Sequence, residues 1–459
     1  MLHLYSVSLG CPKNRVDTER ALAALVPFGP IVPVSAPEEA DLVFINTCGF
    51  IAPAVEESVR AMMEAIDRVR GLPRKKRPLL AIAGCLVGRY GRETLAPDLP
   101  EADLLLDTGD LDSWGPALAR AFGQTIDQTI DQTIEPARAK RGESAPAVVP
   151  DAAAPRRLLS TGPSYAWLKI SDGCRHACSF CTIPSIRGPL RSTPAPLLRA
   201  EAEELTAQGV RELILVAQDL TAWGSDLGLR HGLVSLLETL LPLPGLARLR
   251  LMYLYPGGIT KELLGFLKEA GPPFVPYFDV PLQHAAQNVL SRMGRPFAGR
   301  PHEAVERIRS FFPDAALRTS IITGFPGETD ADFAELCRFV EETRFHHLGV
   351  FAYEAEEGTP AAAMPGQIPA AVKEERRAVL MDMQSAVSEE LLERCLGSRM
   401  DVLVDAAHKE WPGLHVGRTW FQAPDIDGVT YVSGPGVVPG ALVEADIVET
   451  QTYDLVALT

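Results

Sequence analysis

Three cysteines stand close together in the stretch SDGCRHACSFC, where Cys174, Cys178 and Cys181 form a CxxxCxxC pattern. Soft thiolate ligands select iron–sulfur clusters, copper(I) or zinc. Three thiolates on one short loop can bind three irons of a 4Fe-4S cube and leave the fourth iron open to another ligand. Structural zinc is the alternative, with His176 as the nearest fourth ligand. The spacing favours the iron–sulfur cluster.

Three further cysteines, Cys11, Cys48 and Cys85, are spaced 37 residues apart and each follows a predicted strand. Residues just past the carboxyl ends of neighbouring parallel strands converge on one crevice. We therefore expect these thiolates to meet and hold a second three-cysteine 4Fe-4S cluster, and we call them the first triad and the loop cysteines the second triad. Each is next to a glycine that favours a tight turn and close backbone approach, namely Gly10, Gly49 and Gly84. The alternative is that they are small buried hydrophobes.

The elements before the second triad alternate between strand and helix, which predicts a parallel sheet with helices on its faces. Predicted strands are Leu4–Leu9, Leu42–Asn46 and Leu79–Ala83, and predicted helices are Asp17–Val26 and Val55–Val69. This amino-terminal cluster domain is expected to span residues 1–122.

Residues 123–157 differ in composition from their surroundings. The segment 124–135 reads QTIDQTIDQTIE, a four-residue unit repeated three times, and Ala, Pro and charged residues follow it. With so few large apolar residues, the segment is interpreted as a low-complexity linker. The alternative is an extension of the preceding helix.

Strand–helix alternation resumes after the linker. The predicted strands are Tyr165–Ile170, Glu212–Ala217, Arg248–Leu254, Tyr277–Leu282, Leu317–Thr323 and His347–Tyr353. Six βα units predict an open (β/α)6 barrel over residues 158–392, ending in a long charged helix near Ala370–Cys395. The second triad follows the first of these strands and so lies on the face where such barrels place their active sites.

The tail, residues 393–459, has short β-rich runs separated by Gly and Pro, which predicts a small antiparallel barrel. Its predicted strands are Met400–Val404, Val429–Val432, Ala441–Val448 and Asp454–Leu458. The fold class is therefore α/β with a β-barrel at the end of the chain.

The whole chain of 459 residues carries a net charge of −15 and eight cysteines. An acidic balance disfavours nucleic acid as the main partner, because phosphate neutralisation supplies most of that affinity. No apolar run is long enough to span a bilayer and the amino terminus does not resemble a signal peptide, so we expect no membrane partner and a cytoplasmic protein with reduced thiols. Cys337 and Cys395 are expected to be packing residues.

These motifs resemble a known family. CxxxCxxC after the first strand of a partial barrel is similar to the radical S-adenosylmethionine superfamily. The segments SLGCPKNRVDTE, NTCGFI and AGCLVGRYG, with VPLQHAAQNVLSRMGR and IITGFPGET, resemble the methylthiotransferases of that superfamily. The tail resembles the TRAM module, an OB-like barrel.

The resemblance implies a mechanism with two 4Fe-4S clusters. The second-triad cluster would bind S-adenosylmethionine and, with an electron from a donor, cleave it to a 5′-deoxyadenosyl radical. The first-triad cluster would present a sulfide that a second S-adenosylmethionine methylates, and the radical would activate the carbon that receives the methylthio group. No catalytic residue beyond the cluster ligands is implied.

Weaker candidates for holding S-adenosylmethionine are polar or glycine residues on or just after predicted strands. They are Gln218, Asp219, Gln283, Arg318, Gly324 and Gly327. Each has an alternative as an ordinary loop or capping residue.

The family divides between enzymes that modify an adenosine of transfer RNA and enzymes that modify an aspartate of a basic small-subunit ribosomal protein. The stretch around the second triad and the motif APDIDG at 423–428 resemble the second branch. Residues 395–459 contain nine acidic and three basic residues, and such a barrel repels RNA and attracts a basic protein. Asp425 and Asp427 are the predicted partner contacts, the alternative being that they solubilise a turn. A third interpretation is a metal-bound adaptor without catalytic activity.

Overall fold

The computed structural model describes most of the chain. The described residues are 1–73, 76–131, 157–295 and 301–459. They form two compact units, Met1–Ser160 with Ser185–Gly188, and Thr161–Pro184 with Pro189–Thr459. Among the described helices, none has both the length and the apolar character needed to cross a bilayer. The limits predicted for the domains and the linker stay predictions.

The first unit is built on five parallel strands. They are β1 (Leu2–Ser8), β2 (Ile31–Pro33), β3 (Leu42–Thr47), β4 (Leu79–Gly84) and β5 (Leu104–Asp107). Their order in the sheet is β2-β1-β3-β4-β5. Every residue of the central strands β3 and β4 is buried, because helices cover both faces of a parallel sheet. The predicted parallel sheet is confirmed.

Helices pack on both faces of this sheet. They are α1 (Pro12–Ala23), α2 (Ala52–Arg70), α3 (Cys85–Tyr90), α4 (Arg92–Leu95) and α5 (Trp114–Asp131). Alternate residues of β3 point to opposite faces, so Phe44 packs in one core with Trp114 and Ile45 packs in another with Met62. Helix α1 begins five residues before the predicted start, because Pro12 occupies the first helical turn, where its missing N–H costs nothing.

The four-residue repeat is partly helical. Helix α5 continues to Asp131 and includes the first two QTID units. A four-residue period returns each residue type to nearly the same face of a helix, which makes the repeat compatible with α5. For these eight residues the helical alternative is correct, while residues 132–156 lie outside the described part of the chain.

The second unit contains an open parallel sheet and a short hairpin. The strands are β6 (Tyr165–Lys169), β7 (Ser171–Asp172), β8 (Arg191–Ser192), β9 (Glu212–Val216), β10 (Arg248–Leu251), β11 (Phe274–Asp279), β12 (Ala316–Thr323) and β13 (His347–Ala352). The large sheet has the order β13-β12-β11-β10-β9-β6, and β7 pairs with β8. The predicted six-stranded open barrel is confirmed. Strand β11 begins three residues before the prediction, since a register shift against β10 accommodates Pro276.

The helices that follow residue 160 connect and cover these strands. They are α6 (Ile183–Arg187), α7 (Ala195–Ala207), α8 (Gly232–Leu240), α9 (Lys261–Ala270), α10 (Gln287–Arg292), α11 (Pro301–Phe311), α12 (Asp330–Thr343) and α13 (Ala370–Glu393). Thr329 and Asp332 form a capping box that defines the start of α12.

The chain ends in a closed five-stranded barrel. Its strands are β14 (Arg399–Ala407), β15 (His415–Arg418), β16 (Thr430–Ser433), β17 (Leu442–Thr450) and β18 (Leu455–Leu458), in the order β14-β15-β16-β18-β17. Strands β16 and β18 pair in parallel and the other pairs are antiparallel, which is the Greek-key arrangement of an OB-like barrel. The prediction missed β15 and the parallel pair.

Buried charges join the open sheet to the small barrel. Glu212, the first residue of β9, accepts hydrogen bonds from Arg250 Nε at 2.7 Å and Arg418 Nη1 at 2.6 Å. Although burial opposes ionisation, these guanidinium groups lower the pKa of Glu212 to about 2. The small barrel therefore packs at the amino ends of the strands, opposite the end from which the second-triad loop emerges.

Candidate metal centres

The structure brings the first triad together at the carboxyl ends of β1, β3 and β4. Cys11 is the N-cap of α1, Cys48 follows β3 directly and Cys85 begins α3. Burial raises the pKa of Cys48 to about 11, and charge repulsion from the neighbouring Cys85 and Cys11 thiolates adds to this effect. Three thiols from three strand ends thus lie near one another, with Cys48 and Cys85 buried and Cys11 partly exposed, and their role as cluster ligands stays a prediction.

Glycines let the chain pass close to these thiols. Gly10 has a φ of +84°, and a Cβ there would lie 2.8 Å from the Cys48 sulfur. At Gly49 a Cβ would lie 2.7 Å from the carbonyl oxygen of Cys85, and Gly84 has a φ of +106°. The predicted tight turns and close backbone approaches are confirmed.

Asn14 ties the ends of two strands together beside the first triad. Its Nδ2 donates to the carbonyl oxygens of Leu9 at 2.8 Å and Thr47 at 3.0 Å. Its Oδ1 lies 3.6 Å from the Cys85 sulfur. This buried amide fixes the separation of the turns that carry Cys11 and Cys48.

A buried arginine also reaches the first triad. Arg187 Nη2 lies 3.4 Å from the Cys85 sulfur and donates to Asn14 Oδ1 at 2.5 Å. Arg187 Nη1 donates to Asp17 Oδ2 at 3.0 Å. Sequence reasoning missed this residue, since nothing in its spacing distinguishes it from a surface arginine.

The second triad lies on the loop between β7 and α6, with its cysteines partly exposed. Burial raises the pKa of Cys181 to about 12, and charge repulsion from Cys178 and Cys174 contributes. Arg295 Nη1 lies 3.4 Å from the Cys178 sulfur, and the same guanidinium stacks 4.8 Å above the Tyr255 ring. The loop therefore gathers its three thiols next to a fixed positive charge.

His176, the candidate fourth ligand of zinc, contacts Asp219 and Tyr255. Its Nε2 lies 2.7 Å from Asp219 Oδ2, and its ring stacks on Tyr255 at 3.8 Å. Among the described residues, no three His, Cys, Asp or Glu side chains are arranged to hold a single metal ion. In a 4Fe-4S cube each thiolate binds a different iron, so its ligands stand farther apart than those of one zinc ion. Two 4Fe-4S clusters, one on each triad, stay a prediction.

Two of the predicted S-adenosylmethionine contacts follow β9. Gln218 Nε2 donates weakly to Asp172 at 3.4 Å, and its buried Oε1 has no hydrogen-bond partner in the described structure. This unsatisfied acceptor can receive a donor from a ligand. Asp219 is engaged by His176, and Gln283 has a φ of +74° with its backbone bridged to Ile321 of β12.

The predicted glycine contacts are filled by the chain itself. A Cβ at Gly324 would collide with the side chain of Lys373, and one at Gly327 would collide with Arg292. Arg292 also donates to the Gly327 carbonyl oxygen at 2.8 Å. Two of the protein's own side chains therefore occupy the Cβ directions of these glycines, and their contact with S-adenosylmethionine stays a prediction.

Arg318 is also engaged within the protein. It is the third residue of β12, and its Nη1 donates to Asp279 Oδ1 at 2.9 Å. Its Nε lies 3.5 Å from Asp427 Oδ1. Arg318 therefore belongs to the charged interior near the amino end of β12, and its predicted contact with S-adenosylmethionine is not supported.

Asp427 is a correction to the predicted partner contacts. Its side chain is only 1% exposed, accepts a hydrogen bond from the Tyr277 hydroxyl at 2.7 Å, and lies 3.4 Å from His347 Nδ1. A buried carboxylate paired in this way cannot contact another protein. Asp425 is exposed and accepts a hydrogen bond from the Tyr165 hydroxyl at 3.3 Å, and its role as a partner contact stays a prediction.

Other acids of the small barrel are on its surface. The exposed acidic residues, which we call the acidic surface, are Asp401, Glu410, Asp425, Glu444, Asp446 and Glu449. Asp401 of β14 pairs in register with Glu444 of β17, so their negative charges lie side by side. The acidic character predicted from composition is therefore located at least partly on the β14–β17 face.

Family models match three parts of the chain. The radical SAM superfamily matches residues 168–340, the TRAM domain matches 396–459, and the uncharacterized protein family UPF0004 matches 3–107. The matches cover the open sheet, the small barrel and the sheet that carries the first triad.

Curated relatives match the whole length. Proteins named ribosomal protein uS12 methylthiotransferase RimO are 64% identical in Nitratidesulfovibrio vulgaris strain Hildenborough and 62% identical in Oleidesulfovibrio alaskensis, with 100% of both chains covered in each case. The protein of that name from Lawsonia intracellularis is 52% identical, covering 100% of this chain and 98% of its own.

A solved structure shares the fold. The radical S-adenosylmethionine methyltransferase TsrM from Kitasatospora setae, with cobalamin and a 4Fe-4S cluster bound, superposes with a TM-score of 0.52 at 15% identity. The match covers 90% of this chain and 80% of TsrM. At this identity the likeness concerns the fold alone.

Proposed function

The chain belongs to the RimO family of ribosomal protein uS12 methylthiotransferases, and from this premise we propose that it inserts a methylthio group at the β-carbon of an aspartate in uS12. It is a radical S-adenosylmethionine transferase. The single observation that carries the proposal is the gathering of the first triad at one edge of a parallel sheet, in a chain that also holds the radical SAM loop.

The residues on hand can hold two 4Fe-4S clusters, one on each triad. When bound, these clusters would supply reductive cleavage of S-adenosylmethionine at the second triad and the sulfur for transfer at the first. Cys48 and Cys85 are buried, so the protein shields the first site from water. The partly exposed second triad leaves room for a cofactor to approach, with Gln218 Oε1 as one acceptor for it.

The protein requires an external electron donor, since no redox group besides the two clusters is proposed. We place the reaction in the cytoplasm, where ribosomal proteins are made and assembled.

The acidic surface is the proposed contact for uS12. Its supporting observation is the exposure of six carboxylates on a barrel that has only three basic residues. One of those three, Arg418, is buried on Glu212 and does not offset the surface charge. Opposite charge both speeds encounter and strengthens binding of a basic protein, and direct binding of nucleic acid is not expected.

The test is mass spectrometry of purified uS12 after anaerobic incubation with the reconstituted enzyme, S-adenosylmethionine and dithionite. The expected result is one added methylthio group on one aspartate, with 5′-deoxyadenosine as coproduct. A parallel nucleoside analysis of transfer RNA incubated in the same way should show no methylthio-adenosine.

Other outcomes would overturn the proposal in distinct ways. A methylthio group on transfer RNA and none on uS12 would assign the chain to the RNA-modifying branch. Tight binding of uS12 with no 5′-deoxyadenosine and no added mass would favour the non-catalytic adaptor.

A further inference from the structure

An arginine outside every predicted site contacts the first triad. Arg187 is 1% exposed, and both arms of its guanidinium are engaged. Nη1 faces Asp17, and Nη2 faces Asn14 and the sulfur of Cys85, at 3.4 Å from the sulfur. The guanidinium stays protonated at any physiological pH, so this is a permanent positive charge beside a thiolate ligand.

The backbone holds this guanidinium in place. Arg187 lies in Ser185–Gly188, a segment that belongs to the first unit. The Thr108 hydroxyl donates to the carbonyl oxygen of Ile186 at 2.5 Å, directly before Arg187. A Cβ at Gly88 would collide with that hydroxyl, so the segment fits only against a glycine. The segment is therefore anchored next to α3, the helix that Cys85 begins.

We propose that Arg187 is a positioning residue for the first triad, donating a hydrogen bond to the Cys85 sulfur and stabilising the negative charge of the cluster held there. This inference rests on the proposed function, because it requires a 4Fe-4S cluster on the first triad. Hydrogen bonds to the sulfurs, nearby charge and solvent exposure set the reduction potential of such clusters. In a buried site with low dielectric constant, a positive charge at this distance favours the more negative, reduced state.

The neighbouring Asp17 does not cancel this effect. Its carboxylate binds Nη1, on the other arm of the guanidinium from the nitrogen that faces Cys85. The pair therefore presents its positive end to the sulfur. The Asp17 side chain is 2% exposed, so solvent screens this dipole weakly.

Arg157 offers a matched control, because its ion-pair partner lies on α1, the helix that also carries Asp17. Arg157 is 2% exposed and forms a buried ion pair with Glu19 of α1. Glu19 lies eight residues beyond Cys11, or about 12 Å along the helix axis. Loss of Arg157 therefore removes a buried ion pair from the same unit at a greater distance from the thiols.

The experiment uses the full chain with Cys174, Cys178 and Cys181 changed to Ala, so that only the first cluster contributes a signal. Arg187→Gln, Arg187→Lys and Arg157→Gln are made in this background and reconstituted anaerobically. Iron per chain is measured, and the midpoint potential is followed by electron paramagnetic resonance as dithionite adds one electron to each cluster. A thermal unfolding midpoint is recorded for each protein.

The expected result is a lower midpoint potential in Arg187→Gln, with about four irons retained. Arg187→Lys keeps the charge and should restore most of the potential. Arg157→Gln should unfold at a lower temperature than the parent while keeping its potential.

Several results would overturn the inference. An unchanged potential in Arg187→Gln with iron retained would do so, as would an equal shift in Arg157→Gln. If Arg187→Gln takes up no iron, Arg187→Lys decides: equal loss of iron in the Lys variant would show that the charge is not what matters. Failure of the parent itself to bind iron would instead count against a cluster on the first triad, and so against the proposed function.

Discussion

Each triad presents three cysteine thiols, but the two triads differ in backbone arrangement and in burial. The second triad lies within eight residues of one loop, whereas the first draws its cysteines from three turns that are 37 residues apart. The first is more deeply buried, with Cys48 and Cys85 at 9% and 4% exposure, and the second is partly open. A site that must admit a cofactor needs this openness, and one that stores a reactive sulfur benefits from exclusion of water.

Both triads share one feature that neither pattern predicts. Arg187 lies 3.4 Å from the sulfur of Cys85, and Arg295 lies 3.4 Å from the sulfur of Cys178. A buried group of thiolates repels itself, and a nearby guanidinium offsets part of that repulsion. In both triads a guanidinium therefore lies close enough to one sulfur to offset part of this repulsion.

The largest expected effect separates the roles of the triads. Cys178→Ala should abolish 5′-deoxyadenosine formation, because two thiolates hold the second cluster poorly. Cys48→Ala should retain 5′-deoxyadenosine formation and lose the methylthio product. Both are measured by chromatography of the small-molecule products and mass spectrometry of uS12, with about eight irons per chain expected in the parent and about four in each variant.

Cys337→Ala is the control for this pair, since Cys337 lies in α12 and has no proposed role. It should keep both products and the full iron content. The comparison between the triads would fail if Cys48→Ala still yielded modified uS12, or if Cys178→Ala still cleaved S-adenosylmethionine at the parent rate.

A second prediction tests whether the first triad depends on its turns. Gly10→Ala places a Cβ 2.8 Å from the Cys48 sulfur at a φ of +84°, so the turn must move away from the site. We expect about half of the iron to be lost, leaving only the second cluster. Gly91→Ala is the control, because Gly91 has a φ of +82° with nothing within 4 Å of its Cβ position.

Both substitutions carry a similar backbone strain of about 1–2 kcal/mol, and only Gly10→Ala adds the collision. Iron analysis and thermal unfolding together distinguish them. Equal iron in Gly10→Ala and Gly91→Ala would mean that the first site tolerates displacement of its turn, contrary to the tight geometry described above.

The sequence predicted the architecture well because its signals are local. Long apolar runs indicated the buried parallel strands. Strand β15, with the sequence HVGR, was missed because four residues with a glycine and two basic side chains do not resemble a strand. Its position depends on pairing with β14 and β16.

The residues of the candidate sites also differ in whether the sequence alone could identify them. The cysteines could be found from spacing, since the strand-to-cysteine order fixes where each thiol emerges from the sheet. Arg187 and Asp427 could not, because their roles depend on residues more than 70 positions away in the chain, such as Cys85 and Tyr277. From the sequence alone, an aspartate in a Gly- and Pro-containing turn is expected to be exposed. In the fold, the Tyr277 hydroxyl and the His347 imidazole lie against Asp427.

The third prediction concerns this buried aspartate. Asp427→Asn keeps the shape but removes the charge that faces Arg318 and His347, and we expect a loss of about 1.5–3 kcal/mol in unfolding free energy. Asp425→Asn is the exposed control and should change stability by less than about 0.5 kcal/mol. Urea unfolding of both variants measures the difference.

Variants of the acidic surface and of Asp427 test the proposed binding of uS12. Charge reversal of Glu444 and Asp446, which lie on the acidic surface, should weaken uS12 binding several-fold, with a smaller effect at high salt. Binding by Asp427→Asn that matches the parent, in a protein shown to be folded, would agree with its burial. Unchanged binding by the charge-reversed variant at low salt would remove the acidic surface from the proposal.

The last expected effect is a pH dependence at the junction of the open sheet and the small barrel. Burial lowers the pKa of His346 to about 4, and its positively charged neighbours contribute. Below the ordinary pKa of about 6.5 the unfolded chain takes up a proton that the folded chain does not. Stability is therefore fully present above pH 6.5 and should fall by about 1.4 kcal/mol per pH unit as the pH drops toward 4.

Urea unfolding between pH 6.5 and 5.5 should show this slope in the parent and a smaller slope in His346→Gln. This variant retains a side-chain acceptor for the Leu317 N–H, which faces His346 Nδ1 in the parent. Equal slopes in the two proteins would mean that other groups, such as the neighbouring His347, set the acid sensitivity of this junction.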